Sequence, residues 1–107
     1  MSTVDNVFAA LSDPRRRELL ELIAEHGEAT ATTLAERFPI SRQAVVKHLG
    51  VLGSAGLVTA NRVGREVRYA VRTEAMDTTA RWMAERAASW DRRLAHVKRL
   101  AEAMEQE

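Results

Sequence analysis

Residues 40–52 read ISRQAVVKHLGVL, and this run combines a helix start with an amphipathic helical pattern. Ser41 suits the N-cap position, because its hydroxyl oxygen can accept a hydrogen bond from a free backbone N–H of the first turn. Apolar residues follow at helical spacing and define one face, which comprises Ala44, Val45, Leu49 and Leu52. We therefore predict a helix that buries this face, exposes polar side chains on the other and ends near Gly53 and Gly56.

A shorter helix is predicted directly before this one. It starts at Thr30, ends at Pro39 and buries the apolar residues Ala31, Leu34, Ala35 and Phe38. A tight turn therefore connects this helix to the one that starts at Ser41. Two helices joined by such a turn, the second with exposed hydrogen-bond donors, form a helix-turn-helix unit, which we place at residues 30–53.

Two more helices are predicted in the N-terminal part of the chain. The apolar face of the first consists of Val4, Val7, Phe8 and Leu11. The segment Ser12-Asp13-Pro14 ends this helix and starts the second, because Ser12 or Asp13 can cap free N–H groups and Pro14 has no N–H to leave unpaired. The second helix runs to His26-Gly27 and buries Leu19, Leu20, Leu22 and Ile23.

The hydrophobic period changes after Leu57 from helical to alternating. Gly64 permits a tight turn between two extended runs. After this turn the side chains alternate, with Val67, Tyr69 and Val71 on one face and Glu66, Arg68 and Arg72 on the other. The pattern predicts a β-hairpin at residues 57–72, which we call the wing.

The C-terminal helix, predicted from Thr73 onwards, carries the most regular pattern in the chain. Its apolar residues follow one another at alternating steps of four and three, and this seam comprises Met76, Ala80, Met83, Ala87, Trp90, Leu94, Val97, Ala101 and Met104. Such a period describes a narrow stripe that meets another helix along its length. A helix of about 30 residues reaches about 45 Å, so we expect part of the seam to meet a second copy of the chain. The alternative is that the seam packs on the first helix of the same chain.

These elements predict a mainly α-helical winged helix-turn-helix fold, with about five helices, a two-stranded wing and a long C-terminal dimerisation helix. Residues 1–107 form one domain, in which residues 1–11 and 73–107 are assigned to dimerisation. The expected dimer contacts are Val4, Val7, Phe8, Met83, Ala87, Trp90, Leu94, Val97 and Ala101. Trp82 lies off the seam, and we expect it to cover the globule or to line a small apolar pocket.

The net charge of +1 conceals a segregation of charge along the chain. Residues 41–72 contain six basic residues and one acid, Glu66, so this segment carries +5 and the remainder −4. Segregation of this kind is typical of a surface that binds a polyanion. The chain has no cysteine, which excludes disulfides and thiolate metal sites within it. Because we find neither a secretion signal nor a membrane-spanning run, we expect a cytoplasmic protein without a membrane partner.

The exposed face of the helix after Ser41 has the chemistry to contact base edges in the major groove of double-stranded DNA. Arg42 and Lys47 suit guanine, Gln43 suits adenine, and the apolar Val46 suits a thymine methyl group. At the tip of the wing, Arg65 is placed to enter a minor groove or to grip its phosphates. One wing arginine could pair with Glu66 instead. The predicted DNA contacts, with Arg62 and Arg68 assigned to phosphates, are Ser41, Arg42, Gln43, Val46, Lys47, Arg62, Arg65 and Arg68.

Several spaced elements together resemble the ArsR/SmtB type of bacterial transcriptional regulator. They are the run at 40–52, Ala55-Gly56-Leu57-Val58, the hairpin from Gly64 to Tyr69 and the helix start around residues 9–16. The resemblance covers residues 5–72. It implies a winged-helix homodimer, usually a repressor of a palindromic operator, that leaves DNA when an effector binds or a modification occurs. The first and last helices would then form the dimer interface.

Many such regulators sense metals, but this sequence departs from their ligand sets. Residues 28–33 stand in place of the family's thiol site and contain no cysteine. None of the three histidines has an acid at helical contact distance. We therefore expect no metal and no cofactor, while a site shared between subunits through Asp91 and His96 stays open. An unidentified small-molecule effector is a further expected partner.

Two other classes of function are alternatives to DNA binding. The chain has no cysteine nucleophile, no Gly-rich phosphate loop and no histidine–acid pair at helical spacing, so we expect no enzymatic activity. A winged-helix adaptor that binds only proteins is the second alternative, because the fold by itself does not separate the two functions. The cations Arg42, Lys47, Arg62 and Arg65 favour DNA, because an adaptor has no need of them on one side.

Overall fold

The computed structural model describes residues 2–106 and contains five helices and three strands within that range. The helices are α1 (Thr3–Leu11), α2 (Pro14–His26), α3 (Ala31–Glu36), α4 (Arg42–Ser54) and α5 (Glu74–Glu105). The strands are β1 (Ala29–Thr30), β2 (Val58–Val63) and β3 (Glu66–Val71). The fold is a winged helix-turn-helix, which confirms the predicted class.

Side-chain caps fix the starts of four helices, and in α1 the Ser2 hydroxyl accepts from the backbone N–H of Asp5 at 3.2 Å. The Asp13 carboxylate accepts a hydrogen bond from the backbone N–H of Arg15 at 2.9 Å, and Pro14 is the first residue of α2. The Thr30 hydroxyl accepts from the N–H of Thr33 at 3.1 Å at the start of α3. Ser41 accepts from the N–H of Ala44 at 3.1 Å at the start of α4. Each cap pairs one of the N–H groups that a helix start leaves free.

The sheet has three strands rather than the two that the sequence predicted. β3 lies in the centre, with β2 and β1 antiparallel on either side. The third strand consists of Ala29 and Thr30, which pair with Tyr69 and Arg68. Thr30 must be extended to cap α3, and its extended backbone lies along the free edge of β3. Two residues are too few for any alternating pattern, so the sequence contains no signal for this strand.

The core lies between α1, α2, α3, α4 and the base of the wing. Its largest fully buried side chains are Leu19, Ile23, Leu34, Leu49, Leu52, Leu57, Val7 and Val45. Val7 was predicted to contact a second copy of the chain, but it is only 1% exposed and therefore belongs to the chain's own core. At the wing tip, Gly64 has a φ of 63°, which a residue with a side chain adopts reluctantly.

α5 packs on α1 through a stripe next to the seam. Ala75, Thr79, Trp82 and Arg86 form this stripe at steps of four, three and four, and Thr79 is buried. The Phe8 and Trp82 rings meet in an edge-to-face contact. The seam residues lie one position further along the helix and stay open to solvent, with Trp90 57%, Leu94 66% and Val97 60% exposed.

The C-terminal half of α5 extends away from the globule. Every residue from 91 to 106 is exposed, and the molecule measures 75 × 25 × 25 Å. A helical segment of this length without packing partners is marginal in water. Among residues 2–106, no helix is both long and apolar enough to cross a membrane.

Candidate nucleic-acid interface

α4 presents a continuous exposed ridge on the side opposite its buried face. Val45, Leu49 and Leu52 anchor the helix in the core, whereas Gln43, Val46 and Lys47 are exposed. The anchoring side chains are fully buried, so the ridge is held rigidly. This arrangement meets the geometric need of an element that enters a major groove.

Arg42, the first residue of α4, is held by the neighbouring helix. Its Nε donates a hydrogen bond to the Thr32 hydroxyl oxygen at 3.1 Å. Thr32 lies in the first turn of α3 and is exposed. The bond leaves both terminal nitrogens of the guanidinium free to donate elsewhere.

A groove separates the starts of α3 and α4 from the wing. It is lined by Thr30, Ala31, Thr32, Thr33, Arg42, Val46, Arg65, Glu66, Val67 and Tyr69. Arg42 and Arg65, predicted from distant parts of the sequence, thus line one concave surface. Lys47 lies on the other side of α4, in a groove that it shares with Arg16 of α2.

The two faces of the wing carry different arginines. In the register of β2 with β3, Arg62 lies opposite Val67, and Asn61 lies opposite Arg68. Directly opposed residues share a face, so Arg62 projects on the same side as Val67, whereas Arg68 projects on the other. The structure does not bring these two predicted phosphate contacts to one side of the wing.

Two of the six basic side chains of residues 41–72 form ion pairs with acids. The Nε of Arg68 lies 3.2 Å from the carboxylate of Glu66, and that of Arg72 lies 3.2 Å from the carboxylate of Glu74. The hydrogen bond from Arg72 is the main cause that lowers the pKa of Glu74, and a backbone hydrogen bond and the charge of Arg72 lower it further. The same side-chain hydrogen bond, with the charge of Glu74, raises the pKa of Arg72. Among residues 2–106, no acid forms an ion pair with the other four, which are Arg42, Lys47, Arg62 and Arg65.

A polar network joins α1, α2 and α4 behind the ridge. The Arg16 guanidinium donates to the carbonyl oxygens of Ala10 at 2.6 Å and Ala9 at 3.1 Å, and it lies 3.5 Å from the Asp13 carboxylate. The same carboxylate lies 4.0 Å from Nδ1 of His48 on α4. The sequence does not predict that Asp13 lies close to His48, because the two residues are distant along the chain.

The residues weighed for metal binding are not assembled within the chain. Asp91 and His96 lie on the exposed C-terminal half of α5. The part of the chain that the structure describes contains no group of three histidine, aspartate or glutamate side chains able to hold a metal ion.

These features define a winged helix-turn-helix protein with exposed basic side chains on α4 and on the wing. Residues 11–60 match the model of a helix-turn-helix domain family. The transcriptional repressor SdpR of Bacillus subtilis is 36% identical over 80 residues, which cover 75% of this chain and 88% of SdpR.

Solved structures are similar over most of the chain. An ArsR-like transcriptional regulator from Rhodococcus sp. RHA1 is 44% identical, with a TM-score of 0.84 and 92% of each chain covered. The homodimeric winged helix-turn-helix DNA-binding domain Mb0332 of Mycobacterium bovis is 30% identical, with a TM-score of 0.62, covering 83% of this chain and 79% of that one. The chain belongs to the ArsR/SmtB family of DNA-binding transcriptional regulators.

Proposed function

We propose that this chain is a homodimeric repressor that binds a palindromic operator in double-stranded DNA and has no thiol-based metal site. The main observation in support is that four cations have no ion-pair partner among residues 2–106, namely Arg42, Lys47, Arg62 and Arg65. Cations already paired with acids would have to break those pairs before they could meet phosphates. These four can release counterions from DNA directly, which supplies affinity that falls with salt.

The exposed seam of α5 supports the dimer. Trp90, Leu94 and Val97 present an apolar stripe that the chain itself leaves uncovered. A dimer formed by pairing two such stripes around a two-fold axis would carry two copies of α4. A palindromic operator has the same symmetry, because its two matching half-sites lie about 34 Å apart on one side of the DNA, and each α4 would bind one half-site. The dimer is therefore the form that we expect to bind DNA.

Repression is proposed because the relative SdpR is named a transcriptional repressor. A bound dimer blocks other proteins from the same DNA without any chemistry of its own. We place the protein in the cytoplasm, where the DNA of a bacterium lies.

The experiment selects DNA with the purified, metal-free protein from a random-sequence duplex library. Binding of the selected duplex is then measured by fluorescence anisotropy between 50 and 200 mM salt. We expect a palindromic consensus and an affinity that falls steeply with salt. Arg42→Ala should weaken binding of the selected duplex more than binding of an unrelated duplex, because base contacts carry specificity.

A matched control keeps the charge change but moves it away from α4 and the wing. Arg92→Ala removes one positive charge from the exposed half of α5 and should leave both affinities unchanged. Failure to select any sequence, with binding insensitive to salt and to Arg42→Ala, would overturn the proposal in favour of a protein-binding adaptor.

A further inference from the structure

We propose that Thr32 is a positioning residue for base recognition, because its hydroxyl holds the Arg42 guanidinium in place before DNA arrives. The observation is the 3.1 Å hydrogen bond from Arg42 Nε to Thr32 Oγ1, which links the starts of α3 and α4. This inference rests on the proposed DNA-binding function. It adds a residue that has no predicted contact with DNA.

The chemistry of the guanidinium makes this bond compatible with base recognition. Arg42 uses its Nε toward Thr32, so Nη1 and Nη2 retain their N–H groups and can donate end-on to guanine O6 and N7. An arginine side chain otherwise loses rotamer entropy when it is immobilised on binding. Part of this loss occurs before binding, when a hydroxyl already restrains the side chain.

The Thr32 hydroxyl is not needed to build α3. Thr30 caps this helix, since its hydroxyl accepts from the N–H of Thr33. The Thr30 hydroxyl also donates to the Thr33 hydroxyl oxygen at 3.0 Å, so the cap of α3 does not involve Thr32. Thr32 is exposed, and the partner of its hydroxyl is Arg42. Replacing the hydroxyl with a methyl group should therefore leave the fold intact.

The competing explanation is that Thr32 contacts DNA itself. Its hydroxyl accepts from Arg42, and its own proton stays free to donate to a phosphate. A phosphate contact contributes equally on every sequence, whereas positioning of Arg42 acts only where a base is recognised. The two roles are thus separated by comparing selected and unrelated duplexes.

The test measures anisotropy on the selected duplex, on its single-base variants and on an unrelated duplex. Thr32→Val removes one net hydrogen bond in each half of the proposed dimer, so it should weaken binding of the selected palindrome about ten- to hundredfold and leave the unrelated duplex unchanged. The lost discrimination should fall at the base pair that Arg42→Ala also affects. Thr32→Ser should restore wild-type binding.

Two further variants complete the design. Thr32→Val added to Arg42→Ala should have no additional effect, because Thr32 acts through Arg42. Thr78→Val is the matched control on α5, where the hydroxyl donates to the carbonyl oxygen of Glu74, and it should bind like wild type. Circular dichroism of each variant checks that the helices are intact.

Other outcomes overturn the inference. Unchanged or tighter binding by Thr32→Val would show that the bond does not prepare Arg42, and an effect that persists without Arg42 would assign Thr32 to phosphate contact. If the wild type selects a sequence but Arg42→Ala alters no base preference, this inference fails while the proposed function stands. If the wild type selects no sequence, both fail.

Discussion

Phe8 of α1 and Trp82 of α5 meet edge to face, with ring centroids 5.9 Å apart and ring planes inclined at 76°. This contact lies on the stripe of α5 that packs on α1, and the adjacent seam stays open to solvent. The Arg86 guanidinium lies 4.8 Å from the centroid of the Trp82 ring, one turn further along α5. The aromatic pair thus adds to the packing of Ala75 and Thr79 between the last helix and the rest of the chain.

Replacing Phe8 should destabilise the fold by a moderate amount. Because its side chain is 42% exposed, we expect Phe8→Ala to lower the free energy of unfolding by about 1–3 kcal/mol, less than for a fully buried phenylalanine. A double-mutant cycle with Trp82→Ala should give a coupling of about 0.5–1.5 kcal/mol, the range for aromatic pairs. Urea denaturation at one fixed protein concentration measures both, and strictly additive losses would contradict the contact.

A charge placed on the seam should separate the proposed homodimer. Leu94→Glu buries a carboxylate wherever a second copy covers this stripe, which costs several kcal/mol. We expect analytical ultracentrifugation to show a monomer for this variant. We also expect lower helicity by circular dichroism, because residues 91–105 would lose their partner. The control is Ala95→Glu, one residue away and off the seam, which should stay dimeric. Identical masses for the two variants would refute the proposal that the seam pairs two copies of the chain.

The Arg16 guanidinium should matter for stability because it pairs the last carbonyl groups of α1. Arg16→Ala removes bonds to Ala9 and Ala10, and hydrogen bonds to charged groups contribute about 1.5–3 kcal/mol. We expect a loss of this order in thermal or urea denaturation. Arg15→Ala is the control, since Arg15 is exposed and contributes its backbone N–H to Asp13. Equal losses for the two variants would disprove this role of Arg16.

The two faces of the wing should differ in their effect on DNA binding. In the proposed dimer, Arg62→Ala removes two phosphate contacts, one from each copy, so the slope of log affinity against log salt should fall by about 2. Arg68→Ala should have a smaller effect, because Arg68 must leave Glu66 before it can reach a phosphate. Glu66→Gln releases Arg68 and should tighten binding in the same anisotropy titration. A larger slope change for Arg68→Ala than for Arg62→Ala would reverse this assignment.

Much of the architecture was predictable because its signals are local. The Asp13 and Ser41 caps, the turn at Gly64 and the alternation after it each depend on residues within about four positions of one another. The fold class, the five helices and the wing were therefore predicted and confirmed. Residues 29–30 escaped prediction, because a strand of two residues has no pattern of its own.

By itself, the sequence determined the element order, the basic segment at residues 41–72 and the periodic seam of α5. Tertiary structure alone decided which of two adjacent stripes on α5 packs on α1, since Phe8 and Trp82 are far apart in the chain. It also decided that Arg68 pairs with Glu66 and that Arg42 bonds to Thr32. The physical reason is that periodicity and capping are fixed by neighbours along the chain. A side chain's partner across space depends on how whole elements pack.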